Sequence, residues 1–276
     1  MSEECTKSSC SGCPSAGNCS QQKTDFREPM NAYSNVKHVF GIISGKGGVG
    51  KSAVTSQLAV KLSRMGYKVG ILDADITGPS IPKMFGITEK AMGNEENLFP
   101  VTTPGGIKVI SVNLILPNED DPVVWRGPII GGVVKQFWSQ VVWGEIDYLL
   151  VDMPPGTGDV ALTVFQSLPL DGVVIVSSPQ SLVEMIVKKA YKMALMMSIP
   201  VIGLVQNMSY LVCSHCGEKT YIYGKGKGAE TAKELNIPAY SELAIRPEIA
   251  ALCDAGAIEK CDAEGLDEIV EIVTSL

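Results

Sequence analysis

No apolar run in this 276-residue chain reaches the ~20 residues that a membrane-spanning helix requires. Positive charge is in deficit as well: 23 Lys and Arg face 30 Asp and Glu, for a net charge of -7. That balance argues against a surface built for nucleic acid or anionic lipid, so neither nucleic acid nor membrane is expected as a partner. The opening Met-Ser-Glu-Glu-Cys has neither the basic start nor the apolar core of a signal peptide, and a cytoplasmic location is expected. No internal repeat appears. What remains is an ordinary globular composition, 45% hydrophobic and 19% charged, long enough for one large domain or two small ones. Against that plain background stand eight cysteines. In a reducing compartment, metal binding explains them better than disulfides do.

The most informative segment is Gly45-Lys46-Gly47-Gly48-Val49-Gly50-Lys51-Ser52. It fits G-x-x-x-x-G-K-[ST], in which backbone N–H groups converge on phosphate oxygens at a helix N-terminus. Lys51 is placed to reach the β- and γ-phosphates, and Ser52 to put its hydroxyl on Mg²⁺. The context agrees. Val36 to Ser44 reads as a buried parallel strand, and Val54, Leu58, Leu62 and Met65 recur at helical spacing until Gly66.

Residues 1–30 form a cysteine-rich tail without hydrophobic periodicity, whose order would have to come from a metal or a partner. From residue 31 to 276 apolar strands alternate with amphipathic helices. Strands are expected at 39–44, 68–73, 107–112, 148–152, 172–177 and 201–206, and helices at 52–65, 127–142, 159–167 and 182–197. The predicted fold is α/β, a doubly wound, mostly parallel sheet with helices on both faces. Ligands gather at the carboxyl ends of such strands, here the loops 45–51, 73–80, 152–159, 178–181 and 207–216.

Within those loops Asp152 ends an apolar strand, as an outer-sphere holder of Mg²⁺ does. Asp75 is the candidate to orient or deprotonate the attacking water, with Asp73 two residues away as the competing carboxylate. Met153 to Asp159 is stiff at its prolines and free at its glycines, fit to register the γ-phosphate. Lys46 is one lysine more than a phosphate cradle needs. Supplied across a dimer interface, it would stabilise charge on the γ-oxygens as an arginine finger does.

The cysteines fall into two sets. Cys213-Ser214-His215-Cys216 offers two thiolates, whereas a tetrahedral metal site or a four-iron cluster takes four. The same loop of a two-fold partner would supply the second pair. A [4Fe-4S] cluster, zinc and a redox dithiol all fit the spacing. In the tail, Cys5, Cys10, Cys13 and Cys19 place four thiolates in one chain, suited to zinc or to an iron-sulfur cluster. Cys253 and Cys261 read as free thiols buried near a helix and loop.

The glycine-rich segment resembles the deviant Walker A motif of the MinD/ParA/nitrogenase-iron-protein class, whose members form nucleotide-sandwich dimers with the extra lysine acting in trans. Further segments resemble the Mrp/ApbC family of iron-sulfur cluster carrier ATPases: L-D-A-D-I-T-G-P-S-I-P at 72–82, W-R-G-P at 125–128, W-G-E-I-D-Y at 143–148, V-D-M-P-P-G-T-G-D at 151–159 and Q-N-M-S at 206–209. The likeness runs from about Val36 to the end. It implies a homodimer that binds and hydrolyses ATP with Mg²⁺, carries a [4Fe-4S] cluster bridged by Cys213 and Cys216, and transfers it to apo iron-sulfur client proteins. It also implies that Asn207 contacts the adenine base. The tail resembles that of the longer-tailed cytosolic scaffold branch, which implies a second cluster there. Cys10, Cys13 and Cys19 match that branch's C-x2-C-x5-C portion, while Cys5 lies closer than the pattern has its first cysteine. Two other functions share the motif: a MinD- or ParA-like positioning ATPase, and an ATP-driven reductase. Against the first, the end of the chain from Leu266 is amphipathic but acidic.

Overall fold

A computed structural model describes residues 27–276 except 77, 79, 95, 117–126 and 181. Its strands are β1 Asn35–Ser44, β2 Val69–Asp73, β3 Met92–Gly93, β4 Leu98–Phe99, β5 Val101–Thr102, β6 Lys108–Ile110, β7 Glu145–Asp152, β8 Gly172–Ser177, β9 Val201–Val212, β10 Lys219–Thr220 and β11 Ala239–Ala244. Its α-helices are α1 Lys51–Arg64, α2 Ile81–Met84, α3 Gly127–Ser139, α4 Asp159–Ser167, α5 Leu182–Met196, α6 Gly228–Glu234, α7 Pro247–Asp254 and α8 Asp267–Thr274.

The main sheet runs β10-β9-β8-β1-β7-β2-β6-β5, with β11 alongside β9. All its pairings are parallel except those of β5 and β10, so the doubly wound α/β fold is the one expected. Both faces of the central strands are covered, which is why they read as continuous apolar runs rather than as alternations. Val39, Ile43, Leu149, Val151, Val173 and Ile175 pack into one core with residues of α3, α4 and α5. Their neighbours Phe40, Ile42, Tyr148, Leu150, Val174 and Val176 pack into the other with α1 and α8.

The chain leaves β1 through α1 toward β2 on one side, and after β7 it returns to the other side of β1 as β8. Such a reversal opens a crevice at the carboxyl end of β1. The P-loop lies there, and α1 follows it at once. At its far end α1 stops at Gly66, as its sequence predicts. Gly66 has φ 93°, its N–H bonds the Ser63 carbonyl, and the Tyr67 N–H bonds that of Leu62. These bonds satisfy carbonyls left open by the helix end, while Lys61 and Arg64 complement its dipole.

One feature differs from the sequence expectation and one adds to it. Residues 207–212 are not loop: β9 continues through them to Val212, because β11 pairs it as far as Tyr210 and β10 pairs Leu211 and Val212. β11 comes from farther along the chain, whereas β10 is the hairpin partner of β9; β11, α6, α7 and the β3–β4 hairpin are further elements beyond the sequence expectation. Secondly, the structure supplies what the sequence left open, the place of the amphipathic end of the chain, which folds inward. Ile269 and Val273 on α8 are fully buried, each contributing about 1.5–3 kcal/mol by burial, so the apolar face belongs to the core.

Candidate functional site

Parallel register sets the site. β7 lies between β1 and β2, with Ile42 opposite Asp152 and Asp152 opposite Asp73. Two carboxylates therefore end adjacent strands beside the P-loop. Gly48 and Gly50 take φ values of 76° and 78°, a left-handed conformation that glycine adopts without strain. At Gly50 space is short as well: a Cβ would stand 2.4 Å from Asn207 Nδ2.

Asp152 is fully buried and collects three donors. Lys51 Nζ lies 2.7 Å and Ser52 Oγ 2.6 Å from its Oδ2, and Thr55 Oγ1 donates to its Oδ1 at 2.6 Å. Lys51 is itself only 6% exposed, so these are strong, charge-assisted bonds. The Ser52 hydroxyl and the Asp152 carboxylate together form a hard oxygen donor set of the kind that holds Mg²⁺ through hydroxyl and water. Lys51 would turn from Asp152 to the phosphates.

Geometry separates the two candidate carboxylates at the end of β2. Asp75 joins Gly47, Gly48, Lys51, Ser52 and Pro155 in walling a cleft of about 240 Å³, with its Oδ2 3.6 Å from Lys51 Nζ. Asp73 is wholly buried behind it, accepting from Ser111 Oγ at 3.0 Å and from the Asp75 N–H at 3.2 Å. Burial first, and the neighbouring charge of Asp152 second, push its carboxyl well above the usual range, against the pull of Lys51 and the Ser111 hydrogen bond. The proline-glycine loop after β7 is pinned to the P-loop strand by the Gly156 N–H, 2.8 Å from the Ser44 carbonyl.

Lys46 is not a wall residue of this cleft. Its ammonium bonds Gln180 Oε1, on the loop between β8 and α5 of the same chain. Asn207 borders a second cavity, of about 280 Å³, which adjoins the P-loop at Gly50 and is walled largely by apolar side chains such as Ala53, Met208 and Leu243. Its Nδ2 donates to the Val49 carbonyl at 3.0 Å, so Asn207 clamps the P-loop. Arg246 and Gln57 form the polar rim, bonded to each other at 2.8 Å.

Cys213 and Cys216 occupy the tip of the β9–β10 hairpin, half-buried and exposed respectively, and both are free thiols. The tip is closed by the Cys213 N–H on the Glu218 carbonyl and the Gly217 N–H on the Cys213 carbonyl, each at 2.9 Å. The N–H groups of Cys216 and then His215 point at the Cys213 sulfur and hold its thiol below the usual range. Among the described residues no cluster of three His, Cys, Asp or Glu groups converges as a metal site, so His215 does not complete one with the pair. Cys5, Cys10, Cys13 and Cys19 lie outside the described residues. Cys261 is buried and Cys253 half-buried, and burial raises both thiols.

Thr55, Ser111, Gln180 and Gln206 are polar partners of this region that sequence reasoning missed. Thr55 had a signal: it stands four residues after Lys51, on the same face of α1. The others depend on contacts far apart in sequence.

A doubly wound sheet with G-x-x-x-x-G-K-S after β1 and a buried aspartate ending the adjacent β7 defines a P-loop NTPase. Solved structures agree. A nucleotide-binding protein from Archaeoglobus fulgidus, in complex with ADP, is 44% identical, with a TM-score of 0.74 over 82% of this chain and 88% of that one. The cell division ATPase MinD of Pyrococcus furiosus, 18% identical with a TM-score of 0.59 over 86% of this chain and 97% of its own, shares the fold. The family model of ParA type described as NUBPL iron-transfer P-loop NTPase matches residues 35–276, and the chain belongs to that family. Among its relatives are the iron-sulfur cluster carrier protein of Clostridium perfringens, 46% identical over 93% of this chain and 95% of the relative. Another is the cytosolic Fe-S cluster assembly factor CFD1 of Saccharomyces cerevisiae, 39% identical over 84% of this chain and 82% of the relative.

Proposed function

We propose that this protein is an ATP-binding and ATP-hydrolysing carrier that holds [4Fe-4S] clusters and hands them to apoproteins in the cytoplasm. The observation that carries the reading is the pair Cys213 and Cys216, presented at the tip of a hairpin whose first strand, β9, also bears the P-loop clamp Asn207. Relatives curated as iron-sulfur cluster carriers span nearly the whole chain and support the cargo. Among the described residues no helix is long and apolar enough to cross a membrane.

In this reading ATP lies with its phosphates against residues 45–52 and its base in the cavity beside Asn207. Lys51 neutralises the β- and γ-phosphates, and Ser52 and Asp152 hold Mg²⁺, which supplies further charge neutralisation when bound. Asp75 faces the cleft and orients the attacking water. Water adds to the γ-phosphorus as the bond to the leaving ADP oxygen breaks, and the proton of the water leaves to Asp75 or to phosphate. Lys46 lets go of Gln180 and reaches into a partner's cleft, so turnover depends on a homodimer. The same dimer brings two Cys213–Cys216 pairs together to hold one cluster as cargo, and the tail cysteines Cys5, Cys10, Cys13 and Cys19 hold a second.

The decisive experiment is anaerobic reconstitution followed by Mössbauer spectroscopy and iron, sulfide and zinc analysis. Cys213→Ala combined with Cys216→Ala is expected to remove one [4Fe-4S] equivalent per dimer. Unchanged iron and sulfide, or zinc without iron at this pair, refutes the bridging cluster.

A further inference from the structure

Consecutive residues of a strand point to opposite sides. On β9, Asn207 turns to the P-loop, and Gln206 turns the other way. Gln206 is 2% exposed, and both ends of its amide are engaged. Nε2 donates to the Lys225 carbonyl at 3.1 Å and to Ser209 Oγ at 3.0 Å, and Oε1 accepts the Gly228 N–H at 3.0 Å. Lys225 and Gly228 belong to the segment that returns from the Cys213–Cys216 hairpin. The hairpin is therefore tied twice to one place: its outgoing strand is β9, and its return is bonded to Gln206.

The fit is close. A Cβ at position 228 would stand 2.5 Å from Gln206 Oε1 and 2.9 Å from the Tyr240 hydroxyl, so a larger residue there pushes the glutamine amide from its place. The hairpin between these ties is also braced. The rings of Tyr210 and Tyr221 lie 5.8 Å apart, and the Lys219 ammonium sits 4.0 Å above Tyr210. A braced hairpin fixed at both ends moves as a body with the strand that bears it.

We propose that Gln206 is a positioning residue that couples the nucleotide pocket to the cysteine pair. A shift of β9 at Asn207, imposed through the Val49 contact when nucleotide occupies the P-loop, carries the hairpin with it because Gln206 makes the return strand follow. Gln206 does not itself wall the cavity beside Asn207; it faces a separate cavity of about 360 Å³ between β8, β9 and α6. The inference rests on the functional reading above, with nucleotide at residues 45–52 and cargo at Cys213 and Cys216.

The test uses the cluster-free, reduced full-length protein. Alkylation of Cys213 and Cys216 by iodoacetamide is timed by peptide mass spectrometry, without nucleotide and with saturating Mg²⁺ and ADP. The unsubstituted protein is expected to change its rate by about 5-fold or more, the low end of coupling between distinct sites. Gln206→Leu is expected to abolish that change while ADP affinity stays within about twofold, since Gln206 walls neither the P-loop cleft nor the cavity beside Asn207. Gly228→Ala attacks the same contact from the opposite side and leaves the glutamine in place, so it gives the same loss if Gln206→Leu does not fold. A full nucleotide response in the folded variants overturns the role of Gln206. No response in an unsubstituted protein that binds ADP overturns the coupling. Failure to bind ADP at all, read by titration of the same sample, overturns the nucleotide site and the coupling with it.

Discussion

Thr55→Val is the sharpest probe of the magnesium and phosphate end of the site. Valine keeps the shape of threonine and removes one hydroxyl, leaving Asp152 Oδ1 without the donor that lies 2.6 Å away. Asp152 is fully buried, so no water replaces that donor, and a hydrogen bond to a charged group there is worth about 1.5–3 kcal/mol. The Lys51 and Ser52 bonds fall on Oδ2, and under the proposed function both side chains turn to phosphate and metal when nucleotide binds. Thr55 is then the donor that still aims the carboxylate. The loss should therefore appear as an affinity for nucleotide with Mg²⁺ weakened by about 10- to 150-fold, with the affinity in EDTA much less affected. Titration of a fluorescent ADP analogue with and without Mg²⁺ reads both, and Thr55→Ser should restore the wild-type value. Nucleotide affinity within twofold of wild type in Mg²⁺, with the fold intact, would refute the argument that Thr55 orients Asp152.

Asp73 sets a pH dependence. Burial raises its carboxyl, so the folded protein keeps a proton that the unfolded chain releases near pH 4; that stability is present at low pH and lost as pH rises through the raised value. Asp73→Asn keeps partners for Ser111 and the Asp75 N–H without the charge. Relative to wild type it should gain stability between pH 5 and pH 8 in urea titrations without nucleotide, and an advantage that shrinks with pH would contradict the burial argument. Lys46→Ala should leave ATP affinity unchanged and slow hydrolysis by about 100-fold, as loss of one donor to transition-state charge does. Unchanged turnover across protein concentrations would return Lys46 to a role within its own chain, on Gln180.

Much of this protein was legible from its residues in order. The glycines and lysine of 45–52, the strand before them and the helix after them are short-range patterns, decided by backbone sterics and apolar spacing. The same is true of Asp152 at the end of an apolar run and of Gly66 as a helix stop. The two-faced burial of the sheet followed from the unbroken apolar runs within the central strands, such as Val39–Ile43 and Tyr148–Val151. The cysteine pair was equally plain as a motif, although its setting was not.

The tertiary structure decided what depends on neighbours distant in sequence. Asp73 and Asp75 are equivalent as letters; only the register of β2 against β7 buries the first beside Asp152 and turns the second into the cleft. The span 207–212 reads as part of a loop until β11 from farther along the chain and the hairpin partner β10 pair it, and that pairing carries β9 through Asn207 to the hairpin tip at Cys213. Lys46 meets Gln180, and Arg246 meets Gln57, across separations of 134 and 189 residues. Local sequence determines which backbone shapes are cheap, whereas strand order and register determine which side chains meet. In this chain the first sufficed to find the phosphate cradle, and the second was needed to connect it to the cysteines.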